Sequence, residues 1–178
     1  MLKRISDTTK NIGTSSFIEV LGDNPLIDSS IIDATCEKFF SSSYDYASIL
    51  TKEYPKFCNS DSHVFPVGIR AQVMSSLAIQ KACDQAKKES YREHPTTYII
   101  DNPDKFAIGL VEAEDQFADL NCEDYTFAVN VRANLEMIRY IVKTLNKSKK
   151  DWELKDVISL TKSDNYIISL MGNEATYK

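Results

Sequence analysis

Glu112 and Glu114 stand two residues apart in the stretch Gly109-Leu-Val-Glu-Ala-Glu-Asp115. On an extended segment that spacing turns both carboxylates to one face, the arrangement a paired-carboxylate glycosidase or a hard-metal site uses. The alternative is a strand that runs out into an acidic, solvated loop. A second pairing lies in the loop from Phe57 to Pro66, where His63 follows Cys58 by five residues with Asp61 between them. A thiol beside an imidazole can become a nucleophile. Such dyads are assembled across a fold rather than between sequence neighbours, however, and no flanking signature accompanies this one. His94 is the other of the two histidines, so general bases and transition-metal ligands are scarce.

The wider motifs of catalysis are missing. There is no Gly-x-Gly-x-x-Gly, no glycine-rich phosphate loop ending in Lys-Ser or Lys-Thr, no His-Glu-x-x-His and no Gly-x-Ser-x-Gly, and five glycines are few for a cofactor loop. Cys36, Cys58, Cys83 and Cys122 form no Cys-x-x-Cys pair, which argues against zinc and thioredoxin-type sites and for free thiols in a reducing, cytoplasmic compartment. The opening Met-Leu-Lys-Arg-Ile-Ser has no apolar core behind it, so it does not read as a signal peptide, and no apolar run reaches the roughly 18 residues of a spanning helix. No cofactor or metal is implied, and the expectation is a non-enzyme.

Charge is distributed unevenly. The net charge of −5 and pI near 5.1 oppose binding to nucleic acid or to an anionic membrane. Glu112, Glu114, Asp115, Asp119, Glu123 and Asp124 crowd one segment and Lys143, Lys147, Lys149 and Lys150 another. Two such poles suit protein partners, or are ordinary solvated faces. The basic linker, with Arg132 and Arg139 near it, could form a phosphate patch, but it lacks interleaved aromatics.

The elements that must position these residues follow from periodicity. At 178 residues, with 43% hydrophobic and 26% charged side chains, the chain can bury about 70% of its extended surface without staples. Residues 1–15 are polar and read as a flexible arm, and residues 16–178 as one α+β domain, helical over 16–94 and strand-rich over 96–178. Ser16-Phe-Ile-Glu19 reads as a capping box starting a short helix, which Gly22 to Pro25 ends in a turn. Asp28 or Ser29 caps a helix with Ile32, Thr35, Cys36 and Phe39 on one side, and a second helix from about Ser43 buries Tyr46, Ile49 and Leu50. Gly68 to Arg92 is the longest helix candidate. Its Met74, Ile79 and Ala82 widen the apolar face, which either threads the core or meets another chain.

After Pro95 the period becomes two. Thr96–Asp101 and Phe106–Ala113 flank a strong turn signal at Asn102-Pro103, predicting a hairpin in an antiparallel sheet packed against several helices. Residues 114–124 form an acidic loop with a helical turn that points Phe117 and Leu120 inward. Tyr125 to Val131 alternates as a strand, and Leu135, Ile138, Ile141, Val142 and Leu145 form the apolar stripe of a helix over 133–145. Val157–Thr161 and Tyr166–Met171 form a closing hairpin unless 152–160 continues as helix, and the residues from Gly172 fray.

Three functions fit this pattern. The first is a non-enzymatic adaptor, chaperone or assembly subunit that binds other proteins in a hetero-complex, using Met74, Ile79 and Ala82 or the acidic Glu112, Glu114, Asp115, Asp119, Glu123 and Asp124, with a small-molecule ligand disfavoured. The second is a small enzyme built on Glu112 and Glu114 or on Cys58 with His63. The third is an acidic inhibitor or immunity protein. The glycine-poor, acidic chain, with helices flanking the Thr96–Ala113 segment, resembles the small chaperone-type adaptors of bacterial secretion systems, nearest the LvgA-like adaptor of the type IVB coupling complex. That resemblance implies assembly with other small subunits on a coupling protein, capture of effector proteins and no catalysis.

Overall fold

The computed structural model describes residues 1–171, so the expected fraying from Gly172 lies outside the described residues. Four strands, β1 (Ser16–Val20), β2 (Tyr46–Ile49), β3 (Ala71–Ser75) and β4 (Ile108–Val111), form one sheet in the order β1-β3-β2-β4. β3 runs antiparallel to both neighbours, with Phe17 opposite Met74 and Tyr46 also opposite Met74, whereas β2 and β4 are parallel. The class is α+β. The sheet is mixed, not the antiparallel hairpin sheet expected from the sequence.

The chain divides into two compact units. The first, residues 1–20, 32–49 and 71–111, holds the sheet with α1 (Leu2–Ile12), most of α2 (Ser29–Phe40), α3 (Ser76–Gln85), α4 (Glu89–Glu93) and α5 (Thr97–Asp101). The second, residues 21–31, 50–70 and from 112 onward, holds a 3-10 turn (Asp115–Leu120), α6 (Arg132–Ser148), α7 (Leu154–Ser163) and α8 (Asn165–Met171).

In the first unit every residue of β2 is buried. Its polar atoms are satisfied, Tyr46 Oη donating to Gln72 Oε1 at 2.6 Å and Ser48 Oγ to the Ala71 carbonyl at 3.0 Å. Phe39 of α2 packs against Ala47 and Val73. The expected N-terminal arm is helix α1, which buries Leu2, Ser6 and Thr9 and stops at Gly13, whose φ of 72° suits glycine. Among the described residues no helix is long and apolar enough to cross a membrane.

Several elements differ from those expected. Ser16–Glu19 belongs to β1 rather than to a capped helix, and the segment after Ser43 is β2 rather than helix. The long helix expected over Gly68–Arg92 is split, because Ser75 Oγ accepts from Ala78 N at 3.0 Å and so caps α3, leaving Ala71–Ser75 to pair on both sides as β3. The expected 96–113 hairpin does not form. Tyr98, Ile99 and Ile100 are buried in succession in α5, and Asn102 Nδ2 donates to the Tyr98 carbonyl at 2.8 Å, so the Asn-Pro signal ends a helix. Three of the four strands thus lie before residue 76, in the part expected to be helical, and the part expected to be strand-rich is mostly helix with β4 as its one named strand among the described residues. The closing hairpin is the helix pair α7 and α8.

Candidate functional site

β1, β2 and β4 share one direction and β3 opposes them. Leu21, Leu50 and Glu112 therefore leave carboxyl ends of parallel-running strands, and Arg70 precedes the amino end of β3. In open sheets the loops beyond strand carboxyl ends are where ligands gather, because that is where backbone and side-chain polar groups are left uncommitted by the ladder. All three loops belong to the second unit.

The turn after β1 is the most firmly held of them. The Asp23 carbonyl accepts from Val129 N at 2.8 Å. Buried Asn24 donates through Nδ2 to Asp23 Oδ1 at 2.7 Å and accepts from Arg70 N at 3.0 Å. The Arg70 guanidinium reaches Glu53 Oε2 at 2.9 Å and Tyr54 Oη at 3.0 Å. Asp23 thus presents an exposed carboxylate on a turn whose backbone and side chain are both tied down. Facing it in sequence contact, the segment after Val129 leads into α6, where fully buried Asn134 accepts through Oδ1 from Asn130 N at 3.2 Å and Val131 N at 3.0 Å. The Val67–Gly68 backbone is pressed against this segment. Val67 N donates to the Tyr125 carbonyl, Phe127 N donates to that of Val67 at 2.7 Å, and a Cβ on Gly68 (φ 91°) would lie 2.1 Å from Ala128 N. This left-handed glycine also limits the strand expected over Tyr125–Val131 to one bridge, Val67 with Thr126.

A second polar cluster joins residues singled out in the sequence. His63 N donates to Glu112 Oε2 at 3.1 Å, His63 Nδ1 lies 3.0 Å from Glu114 Oε1, and Ala113 N donates to the His63 carbonyl at 2.9 Å. The structure therefore brings His63 to the two glutamates and not to Cys58. Cys58 Sγ lies 3.6 Å from the Thr51 carbonyl, and burial, then Glu112 and Glu123, push its thiol above the usual range, which disfavours the thiolate a nucleophile requires.

The remaining candidates are dispersed. Met74, Ile79 and Ala82 are each 0% exposed, so the wide apolar face is core and not a docking surface. The acidic segment is not one face either. Asp115 (φ 48°) borders the His63 hollow, Asp119 lines a cleft with Lys150 and Lys155, and Glu123 and Asp124 line another with Lys162. Phe117 and Leu120 point inward as expected. Sequence reasoning missed Asp23, Asn24, Arg70 and Asn134. Asp23-Asn24 was visible only as part of a turn, and nothing in the local pattern joins it to Arg70 or Val129.

The mixed four-stranded sheet with its flanking helices defines the class, an α+β fold. Residues 1–148 match the cytidylyltransferase family, and the chain belongs to it. It is 24% identical over 161 residues to the spore coat polysaccharide biosynthesis protein SpsF of Bacillus subtilis, covering 90% of this chain and 60% of that protein. It is 30% identical over 112 residues to an uncharacterized protein of Methanocaldococcus jannaschii, covering 63% and 41% respectively. The chain thus spans 60% and 41% of the length of these relatives. A cytidylyltransferase structure from Leptospira borgpetersenii shares the fold with a TM-score of 0.75 at 19% identity, covering 99% of this chain and 67% of that one.

The family match overturns the non-enzymatic adaptor, its resemblance to secretion-system adaptors and the hetero-complex that resemblance implied. It also overturns the disfavouring of a small-molecule ligand, since the family is defined by transfer from a cytidine nucleotide. Transfer at phosphorus asks the protein mainly to position groups and balance charge, so such an enzyme can lack every nucleophile and base motif sought in the sequence.

Proposed function

We propose that the chain takes part in cytidylyl transfer from CTP to an oxygen of a sugar or sugar phosphate, with the Asp23 turn as the centre of its site. The observation that carries this reading is the family match over residues 1–148; the role of SpsF in polysaccharide biosynthesis supports a sugar-type acceptor. In the reaction the acceptor oxygen forms a bond to the α-phosphorus, the bond from that phosphorus to the bridging oxygen breaks, and pyrophosphate leaves; a sugar hydroxyl releases its proton to water as it reacts, whereas an ionised sugar phosphate has none to lose. Triphosphate chemistry commonly employs a divalent cation held by one or two carboxylates, with phosphates and water completing its shell. Asp23 suits that role as an exposed carboxylate on a turn fixed by Val129 and Asn24. When bound, the cation neutralises charge on the phosphates. Asn24 keeps the carboxylate oriented, and the Arg70 main chain keeps Asn24 in place. Buried Asn134 fixes the start of α6 beside this turn. The chain's four free thiols suit the cytosol, where we place it.

The test is pyrophosphate release from CTP and magnesium with a panel of sugars and sugar phosphates. We expect release that depends on the acceptor and on CTP over UTP and ATP, and that falls by at least about a hundredfold in Asp23→Asn. Release unchanged in that variant, or equal for all three nucleotides, removes the reading.

A further inference from the structure

We propose that His63, Glu112 and Glu114 form a binding site for a first-row divalent metal ion of the zinc, manganese or cobalt class, apart from the Asp23 turn and independent of the transfer reaction. One ligand atom from each of the three lies within 4.8 Å of the others. The three side chains come from two segments held in register by two backbone bonds, Ala113 N on the His63 carbonyl (2.9 Å) and Cys122 N on the Val64 carbonyl (3.1 Å), and by Val64 N on the Asn121 side-chain Oδ1 (3.0 Å). Their convergence therefore does not depend on the side chains attracting one another. That matters because the contact between His63 and Glu114 joins groups 47% and 56% exposed, and water leaves an ion pair so exposed little strength of its own.

The donor set selects the ion. Magnesium and calcium take oxygen ligands and seldom an imidazole, whereas one imidazole nitrogen with two carboxylates suits zinc, manganese and their neighbours. A dication also removes the repulsion between two carboxylates placed two residues apart. Beside the cluster lies a hollow of about 570 Å³ lined by His63, Ala113, Glu114, Asp115, Ala118 and Asn121, which leaves room for water or a further ligand on the metal. Cys58 is not part of the set, because its sulfur lies against the Thr51 carbonyl at 3.6 Å. A cation here clips the loop over 57–66 to the segment after β4.

Cobalt(II) titration followed by absorption tests the site on the whole chain. The expected result is one ion per chain, with ligand-field bands but no thiolate charge-transfer band. Affinity should fall at least about tenfold in His63→Ala and in Glu114→Gln, and Cys58→Ser should leave it unchanged. A measurement on the unaltered chain guards against a variant that fails to fold. Manganese(II) at substoichiometric levels should broaden the imidazole resonances of His63 and spare those of His94, the other histidine. Absence of binding, a thiolate band lost in Cys58→Ser, affinity unchanged in both ligand variants, or equal broadening of the two histidines overturns the proposal.

Discussion

At the scale of single residues, Asp23 and Cys58 show how environment decides what a reactive group can do. Asp23 is exposed, yet its main chain and carboxylate are each hydrogen-bonded, so it presents charge at a fixed place without the cost of ordering it when a ligand arrives. Cys58 is the reverse case. Burial raises its thiol, and Glu112 and Glu123 raise it further, so its thiolate fraction at pH 8 is smaller than that of an ordinary cysteine. Iodoacetamide should therefore alkylate Cys58 more slowly than it alkylates free cysteine at that pH. The gap should narrow as pH rises through the shifted value, a profile that peptide mapping across pH 7 to 10 can check. Alkylation of Cys58 faster than free cysteine at pH 8 would contradict the placement of its neighbours.

At the scale of elements, the sequence made some pieces plain and hid others for definable reasons. Helix α6 was legible because Ile138, Ile141 and Leu145 of the expected stripe are buried on a long, uninterrupted segment, although Leu135 is exposed and Met137 is buried instead. Helix α2 was legible from its Asp28 cap, whose Oδ1 accepts from Ser30 N at 2.8 Å. The inward turns of Phe117 and Leu120 were also visible. β2 and β3 were not, because a central strand buried on both faces shows a run of small and apolar residues with no alternation, which propensity alone assigns to helix when alanine, methionine and glutamine abound. The site was less legible still. Glu112, Glu114 and His63 could be named as chemical residues but not joined, and the Asp23 turn depends on partners 46 and 106 positions away, at Arg70 and Val129. Asn134 is the element-scale counterpart of Asp23. Its side chain takes two main-chain donors ahead of α6, so Asn134→Ala should cost about 1–2 kcal/mol in urea unfolding. A loss under about 0.3 kcal/mol would show that the α6 start is held by other means.

At the scale of the whole molecule, an acidic chain with net charge −5 is a poor match for a polyanion but no obstacle to a nucleotide, provided that local groups and a cation oppose the phosphates. Global charge therefore gives no guide to a small ligand. The relation to SpsF and to the Leptospira structure extends over nearly all of this chain but over only 60% and 67% of theirs. The most direct measurement is a titration of the isotope-labelled chain with CTP and magnesium, followed through backbone amide resonances, with UTP as the comparison and Asp23→Asn as the control. The account predicts saturable shifts that centre on Asp23, Asn24 and the 129–132 segment, stronger for CTP than for UTP and lost in the variant. Shifts centred elsewhere, or shifts that persist in Asp23→Asn, would contradict it.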